Sequence, residues 1–166
     1  MPHAPLAILT YPDPKLRQQA VEVDAVVLKQ LRSSHFIDRL VETMSSAGGV
    51  GIAAPQVGVL LRIIVITNQR GPVVYINPTV TSQSLRSAVD IEGCLSVPGI
   101  IGTVRRARNV TVRARDLNFR LITRRVRDLP ARILQHEVDH LNGVLFIDRA
   151  IKTAESPHAV NGESPI

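Results

Sequence analysis

The chain has 166 residues, 45% of them hydrophobic, which is enough for one folded domain with a core and excludes a disordered polymer. Its formal net charge of +6 indicates either a basic solvated surface or a polyanionic partner such as RNA. The single cysteine, Cys94, excludes an intrachain disulfide and favours a reducing compartment.

The N-terminal third predicts helices. Pro12-Asp13-Pro14 indicates a short helical turn that continues through Ala20. Apolar residues recur at helical spacing from Asp24 to about Ser46, which predicts one amphipathic helix ended by Gly48. The uncharged segment Thr43–Leu61 is interrupted by glycines and a proline, so we expect a buried loop there and no membrane span.

The middle of the chain predicts strands. Arg62–Thr67 and Val73–Ile76 are rich in β-branched residues and are separated by a turn. Val104–Arg115 alternates apolar and charged residues, and we expect it to form a hairpin with Phe119–Val126. Strands and helices do not alternate as βαβ units, which favours an α+β fold with mostly antiparallel β-sheets.

The last predicted element is a helix from Leu129 to about Asn142, ended by Gly143. We expect it to be central, with the sheets packed around it, and to carry the H-E-x-x-H motif described below. The expected domain covers residues 1–150, and residues 151–166 form a polar, poorly anchored tail.

The most informative motif is His136-Glu137-Val138-Asp139-His140. In a helix the two imidazoles of H-E-x-x-H lie one turn apart on one face, where they can bind one metal ion. A divalent cation lowers the pKa of its bound water, and Glu137 is positioned to take up and return that proton. The alternative is an ordinary histidine pair with a solvated carboxylate.

A hydrolytic metal site needs at least one more protein ligand and an open position. Cys94 is the candidate, and Gly93 before it allows the backbone to approach a metal closely. The alternative for a lone cysteine is a small buried hydrophobic residue.

The segment Gly49–Gly58 is dominated by small residues and contains one neutral side-chain donor, Gln56. A glutamine amide can donate to the oxyanion of a tetrahedral intermediate without adding charge. The alternative is a packing loop in which the backbone satisfies Gln56.

These three segments, in this order, resemble the peptide deformylase family. Its G-x-G-x-A-A-x-Q motif matches Gly49–Gln56, its E-G-C-x-S motif matches Glu92–Ser96, and its Q-H-E-x-D-H motif matches Gln135–His140. The resemblance extends from Tyr11 to Asp148. It implies a metal-dependent hydrolase that removes the N-terminal formyl group from formyl-methionine of nascent polypeptides and releases formate.

The resemblance also implies residue roles. By likeness the metal ligands are Cys94, His136 and His140, the general acid/base is Glu137, and the oxyanion donors are Gln56 and the backbone N–H of Leu95. The peptide is expected to lie as an added strand, paired with the backbone of Val50-Gly51 and Gly93. The methionine pocket is assigned to Val50, Leu129 and Ile133.

The family metal is commonly Fe(II), with Zn, Ni or Co as substitutes, and thiolate with imidazole suits several of these ions. The implied compartment is the bacterial cytoplasm, with an organellar stroma or matrix as the alternative. We expect neither DNA nor a membrane as a partner. Some members dock on the ribosome through a basic C-terminal helix, but this tail has only Lys152 among lysines and arginines, so a transient ribosome contact stays open.

The chain departs from many members at Val104-Arg105-Arg106, where a proline often precedes the last arginine, and we expect Arg106 to pair with Glu92. The H-E-x-x-H motif is also compatible with two other functions. A zinc endopeptidase would draw its third ligand from a later acidic residue or histidine. A non-catalytic RNA- or ribosome-binding protein would hold a structural metal with four protein ligands.

Overall fold

A computed structural model describes residues 4–156. Within that range the chain forms four α-helices and eight strands. The helices are α1 (Ala25–Ser33), α2 (Phe36–Ser46), α3 (Asp128–Leu141) and α4 (Phe146–Arg149), and the strands are β1 (Gly51–Ala53), β2 (Ile63–Asn68), β3 (Gly71–Gln83), β4 (Ser87–Glu92), β5 (Ile100–Ala107), β6 (Asn109–Arg115), β7 (Leu121–Arg127) and β8 (Lys152–Glu155). Single 3-10 turns cover Pro14–Arg17 and Ala54–Val57.

The strands form two antiparallel sheets. One has the order β1-β2-β3-β6-β7 and the other the order β4-β5-β8. In the described part of the chain β1 pairs only with β2, and β4 pairs only with β5, so each of these strands leaves one edge unpaired. The prediction of an α+β fold with mostly antiparallel sheets is confirmed.

Helix α3 lies at the centre of the fold and contacts β1, β2, β3, β5, β6 and β7. Ala131, Leu134 and Leu141 of α3 are buried with Ile64 and Val112 of the larger sheet. The helix is buried on nearly every side, and this is why its polar residues can be held away from water. Gly143 ends it at a φ of +71°, as the sequence predicts.

The single predicted helix from Asp24 to Ser46 is wrong, because the chain forms two helices separated at Ser34 and His35. His35 has a φ of +56°, a left-handed conformation that cannot continue an α-helix. The predicted start is confirmed: the Asp24 carboxylate accepts a hydrogen bond from the N–H of Val27 at 2.8 Å.

The segment Val104–Arg115, predicted as one strand, is divided between the two sheets. Strand β5 ends at Ala107 in the smaller sheet, and β6 starts at Asn109 in the larger one, where it forms the expected hairpin with β7. Arg108 is the crossover residue. The alternating pattern continues through it because both strands bury one face, so the pattern alone does not reveal the change of sheet.

The prediction of a poorly anchored tail is wrong for its first part, because Lys152–Glu155 form β8 and pair with Ile100–Thr103 of β5. The remainder of the tail, residues 157–166, lies outside the described residues. The segment Thr43–Leu61, predicted as a buried loop, contains the end of α2, β1 and a 3-10 turn. No helix in residues 4–156 has the length and apolar character needed to cross a membrane.

We expect Gly143→Ala to destabilise the protein by about 3 kcal/mol or more, since an added Cβ would lie 2.4 Å from the carbonyl oxygen of Arg17. The matched control is Gly48→Ala, at a similar φ of +68° but with no atom within 4 Å of the added Cβ. Gly48→Ala should lower the free energy of unfolding by only about 1–2 kcal/mol, the cost of placing a residue with a Cβ in the left-handed conformation. Urea unfolding of both variants tests this, and equal losses would contradict the role given to the Arg17 contact.

Candidate active site

The H-E-x-x-H segment lies in the buried middle of α3. His136 is 4% exposed and His140 1%, and their ring centroids are 5.0 Å apart, as expected for residues one helical turn apart. His136 also stacks on Phe146 at 6.1 Å between ring centroids. Packing from α4 therefore limits the orientation of this imidazole.

Cys94 reaches the histidines from the end of β4. A turn closes behind it, in which the N–H of Val97 donates to the Cys94 carbonyl at 3.0 Å. The Cys94 Sγ lies 3.2 Å from the Nε2 of His140. One candidate ligand atom each from Cys94, His136 and His140 lie within 4.8 Å of one another, and all three residues are buried.

This donor set fits a divalent transition metal. Thiolate and imidazole are the ligand types that such ions prefer, and three protein ligands leave a coordination position for a reactant. Other His, Cys, Asp or Glu side chains do not complete a second such cluster within residues 4–156.

Glu137 projects beside this cluster toward the backbone of β1. A Cβ placed on Gly51 would lie 2.4 Å from the Glu137 Oε1, so the absence of a side chain at Gly51 makes room for this carboxylate. Burial raises the pKa of Glu137 to about 7. Its Oε2 has no hydrogen-bond partner among the described residues. A carboxyl group in such a position can exchange a proton with a reactant near neutral pH.

Gln56 lies in the 3-10 turn after β1 and is 1% exposed. Its Oε1 accepts a hydrogen bond from the N–H of Ala53 at 2.8 Å, which fixes the amide so that its Nε2 faces Ser96 Oγ at 3.2 Å and Cys94 Sγ at 3.6 Å. The backbone satisfies the Oε1 of Gln56, as the alternative of a packing loop expects, but the Nε2 contacts two side chains. The next residue to Cys94, Leu95, is half-buried in the same turn.

The carboxylate of Glu92 orients His136. The Glu92 Oε2 lies 3.0 Å from the Nδ1 of His136, so the Nε2 of that ring is left to face Cys94. Arg106 donates to both Glu92 oxygens, at 2.9 and 3.0 Å, as expected from the sequence, and Arg132 adds a bond of 2.7 Å. Although burial disfavours the charged carboxylate, hydrogen bonds from His136 and Arg106 keep the pKa of Glu92 below its usual range.

The hydrogen-bond network around Glu92 extends outward from Arg106 to Asp139. This carboxylate binds Arg106 at 2.5 Å and Arg149 at 2.5 and 2.7 Å. Arg132 also donates to the carbonyls of Val104 and Ala88, so it connects α3 to β5 and β4. Helix α3 and strands β4 and β5 therefore together hold Glu92, the carboxylate that orients His136.

Sequence reasoning missed Arg132 and the role of Glu92 as partner of His136. Asp148, a carboxylate that follows the motif closely, does not orient His136, because it pairs with Arg17 and accepts from the N–H of Leu145. Glu92 belongs to the E-G-C-x-S motif. Its contact with His136, however, joins residues that are 44 positions apart, and no local sequence pattern predicts it.

The residues expected to bind a peptide are less closely grouped. Ile133 is buried with half-buried Val50 packed against the same cluster, and Gly51 lies in β1. Gly93 is buried beside Cys94. Leu129 is 55% exposed and lines a concavity of about 230 Å³ with Ala88 and other residues of β4, β5 and α3.

A buried cluster of one cysteine and two histidines, with a buried carboxyl group and a neutral amide close by in the fold, is typical of a metal-dependent hydrolase that acts on an amide or ester. The sequence profile of the polypeptide deformylase family matches residues 5–156, and the chain belongs to that family. Members are metal-dependent enzymes that remove the N-terminal formyl group from formyl-methionyl peptides.

Relatives and solved structures agree with this assignment. The chain is 46% identical over 150 residues to peptide deformylase 2 of Gloeobacter violaceus, covering 87% of this chain and 79% of that protein. The crystal structure of peptide deformylase from Thermotoga maritima is 37% identical with a TM-score of 0.84, covering 90% of this chain and 100% of that one. The Met-Ala-Ser-bound class I type b peptide deformylase from Acinetobacter baumannii is 36% identical with a TM-score of 0.83, covering 90% and 99%.

We expect Glu92→Gln to lower the free energy of unfolding by about 3–5 kcal/mol, because removing one partner leaves buried guanidinium charge uncompensated. Urea unfolding in the presence of a chelator measures this without a contribution from metal binding. Glu155→Gln, on the exposed strand β8, is the matched control and should change stability by no more than about 0.5 kcal/mol. A loss as small as that of the control would contradict the structural role of Glu92.

Proposed function

We propose that this chain hydrolyses the formyl group of formyl-methionyl peptides at the cluster of Cys94, His136 and His140, with Glu137 as general acid/base. The observation that carries the proposal is the approach of three buried ligand atoms to within 4.8 Å of one another. Glu137 lies in the same helix next to His136, and its buried Oε2 has no hydrogen-bond partner within residues 4–156. A divalent cation held by the three side chains supplies a Lewis acid for the formyl carbonyl and lowers the pKa of water.

Glu137 handles the protons of the reaction. It accepts a proton as water adds to the formyl carbon, and it returns that proton to the amine nitrogen as the carbon–nitrogen bond breaks, giving formate and the free N-terminus. Because the pKa of Glu137 is raised to about 7, this carboxyl group can both accept and donate a proton at neutral pH.

Gln56 and Leu95 stabilise the oxyanion that develops on the formyl oxygen. The Gln56 Nε2 is held by the bond from Ala53 to the Oε1 of the same amide, so it does not have to be reoriented during the reaction. Within residues 4–156 the N–H of Leu95 has no hydrogen-bond acceptor, which leaves it free to donate to an oxyanion.

The peptide adds as a strand between the two unpaired edges near the site. Strand β1, with Val50-Gly51, offers one edge, and β4, followed by Gly93, offers the other. Main-chain hydrogen bonds hold such a peptide whatever its sequence, while side-chain pockets select particular residues. Val50, Ile133 and Leu129 form the wall that contacts methionine.

The resident ion is Fe(II), and Zn, Ni or Co can replace it, in keeping with the mixed sulfur and nitrogen donors. The substrates are N-formyl-methionyl nascent peptides, and contact with the ribosome is transient. The compartment is the bacterial cytoplasm, with an organellar stroma or matrix as the alternative. The catalytic domain extends beyond residue 150 to include strand β8. The relatives and solved structures offer no support for a zinc endopeptidase or a non-catalytic metal protein.

The direct test is formate release from a formyl-Met-Ala-Ser peptide by protein loaded anaerobically with Fe(II) or with Ni(II). We expect stoichiometric formate and free Met-Ala-Ser. An acetyl-Met-Ala-Ser peptide is the control for general amidase activity. No formate from either metal form would overturn the proposed function.

We expect Glu137→Gln to retain one metal ion per chain and to lose activity by a factor of about 10²–10⁴, because the amide cannot exchange the proton. Metal content by mass spectrometry and kcat on the formyl peptide measure the two effects separately. Glu42→Gln, remote from the site in α2, should match the wild type in both. A variant of Glu137 that turned over at the wild-type rate would show that another group moves the proton.

A further inference from the structure

A second concave surface lies on another face of α3, away from the reactive cluster. A cavity of about 600 Å³ is lined there by Gln135, Val138, Asp139 and Asn142 of α3 and its C-terminal cap. Four arginines from other elements also line it: Arg62, Arg105, Arg106 and Arg149. None of the proposed reactive groups, Cys94, Glu137 and Gln56 among them, lines this cavity.

A smaller cavity borders the first. This concavity of about 300 Å³ shares Gln83 and Ser84 with the first and adds Arg125 and Arg127 of β7. The two cavities are therefore adjacent, and their combined lining includes residues of α4, β3 and β7. We call this combined lining the arginine groove, defined by Arg62, Arg105, Arg106, Arg149, Arg125 and Arg127.

The positive charge of the groove is only partly neutralised. Asp139 is the one carboxylate among the described lining residues, and Arg106 and Arg149 already bind it. Arg62 donates to the neutral oxygens of Leu141, Asn142 and Pro78. A groove with this excess of guanidinium groups attracts anions.

Three other arginines have no acidic partner in the part of the chain that the structure describes. Arg105 donates to the hydroxyl of Ser87 at 3.3 Å. Arg125 and Arg127 are exposed and form no ion pair with a carboxylate in residues 4–156. These three side chains are therefore available to an incoming ligand.

The chemistry of the lining selects among anions. Guanidinium groups with hydroxyl and amide donors from Thr79 and Gln83 suit phosphate oxygens. The lining residues described include no aromatic side chain, so the groove can contact phosphates without stacking on bases. A concave lining of guanidinium groups fits the phosphates of a strand better than it fits the flat surface of a membrane.

We propose that the arginine groove binds the phosphate backbone of RNA, independently of base sequence. The preference for RNA over other phosphate polymers rests on the proposed function, because nascent peptides are made on ribosomes. The groove lies apart from the reactive cluster, so one molecule can contact RNA there while the cluster remains accessible to a peptide.

The test is fluorescence anisotropy of a labelled 20-nucleotide RNA of mixed sequence, titrated with the full-length, metal-loaded chain between about 50 and 200 mM salt. The groove variant is Arg105→Ala/Arg125→Ala/Arg127→Ala. Losing three phosphate contacts should weaken binding about tenfold or more and reduce the slope of log K against log salt by about 2.

The matched control is Lys29→Ala/Arg70→Ala/Lys152→Ala, which removes the same charge from exposed residues outside the groove. It should retain nearly the wild-type affinity and slope. Wild-type binding by the groove variant, or an equal loss in the control, would overturn the proposal, as would binding of phosphatidylserine vesicles without binding of RNA.

Formate release from the short peptide, measured on the same three proteins, should be equal in all of them. If the protein binds RNA through the groove but releases no formate, the RNA-binding role of the groove is supported and the proposed function is rejected. Formate release without groove-dependent RNA binding would reject the groove alone.

Discussion

The buried carboxylate of Glu92 is the interaction on which the rest of the site depends. A fully buried carboxylate costs several kcal/mol in lost hydration unless cations and hydrogen bonds surround it. Here two guanidinium groups, from Arg106 and Arg132, and the imidazole of His136 supply them. The electrostatic requirement of one group therefore determines how three separate side chains are arranged.

This requirement joins the two sheets to the central helix. Glu92 ends β4, Arg106 lies in β5, and Arg132 and His136 lie one turn apart in α3. Cys94 follows Glu92 by two residues, so the contact that orients His136 also brings the thiol to it. The site is thus assembled by the packing of β4 and β5 against α3, and the unpaired edges of β1 and β4 near it follow from the same arrangement.

Local sequence patterns predicted much of this structure. They failed where contacts between residues far apart in the sequence determine the conformation. The α3 helix and its paired histidines follow from spacing and from the stop at Gly143, and the resemblance of three short motifs indicated the family. The break at His35 was missed because the apolar period continues across it. The change of sheet at Arg108 was missed for a similar reason, and Arg132 was missed because its partners lie between 28 and 44 residues away.

The central claim is that one thiolate and two imidazoles hold a single ion with a position left for a reactant. X-ray absorption spectroscopy of the Ni(II)- or Co(II)-loaded protein tests it most directly. We expect one sulfur ligand and two imidazole nitrogens per metal, with the remaining scattering from oxygen. A shell without sulfur, or a shell made entirely of protein side chains, would contradict it.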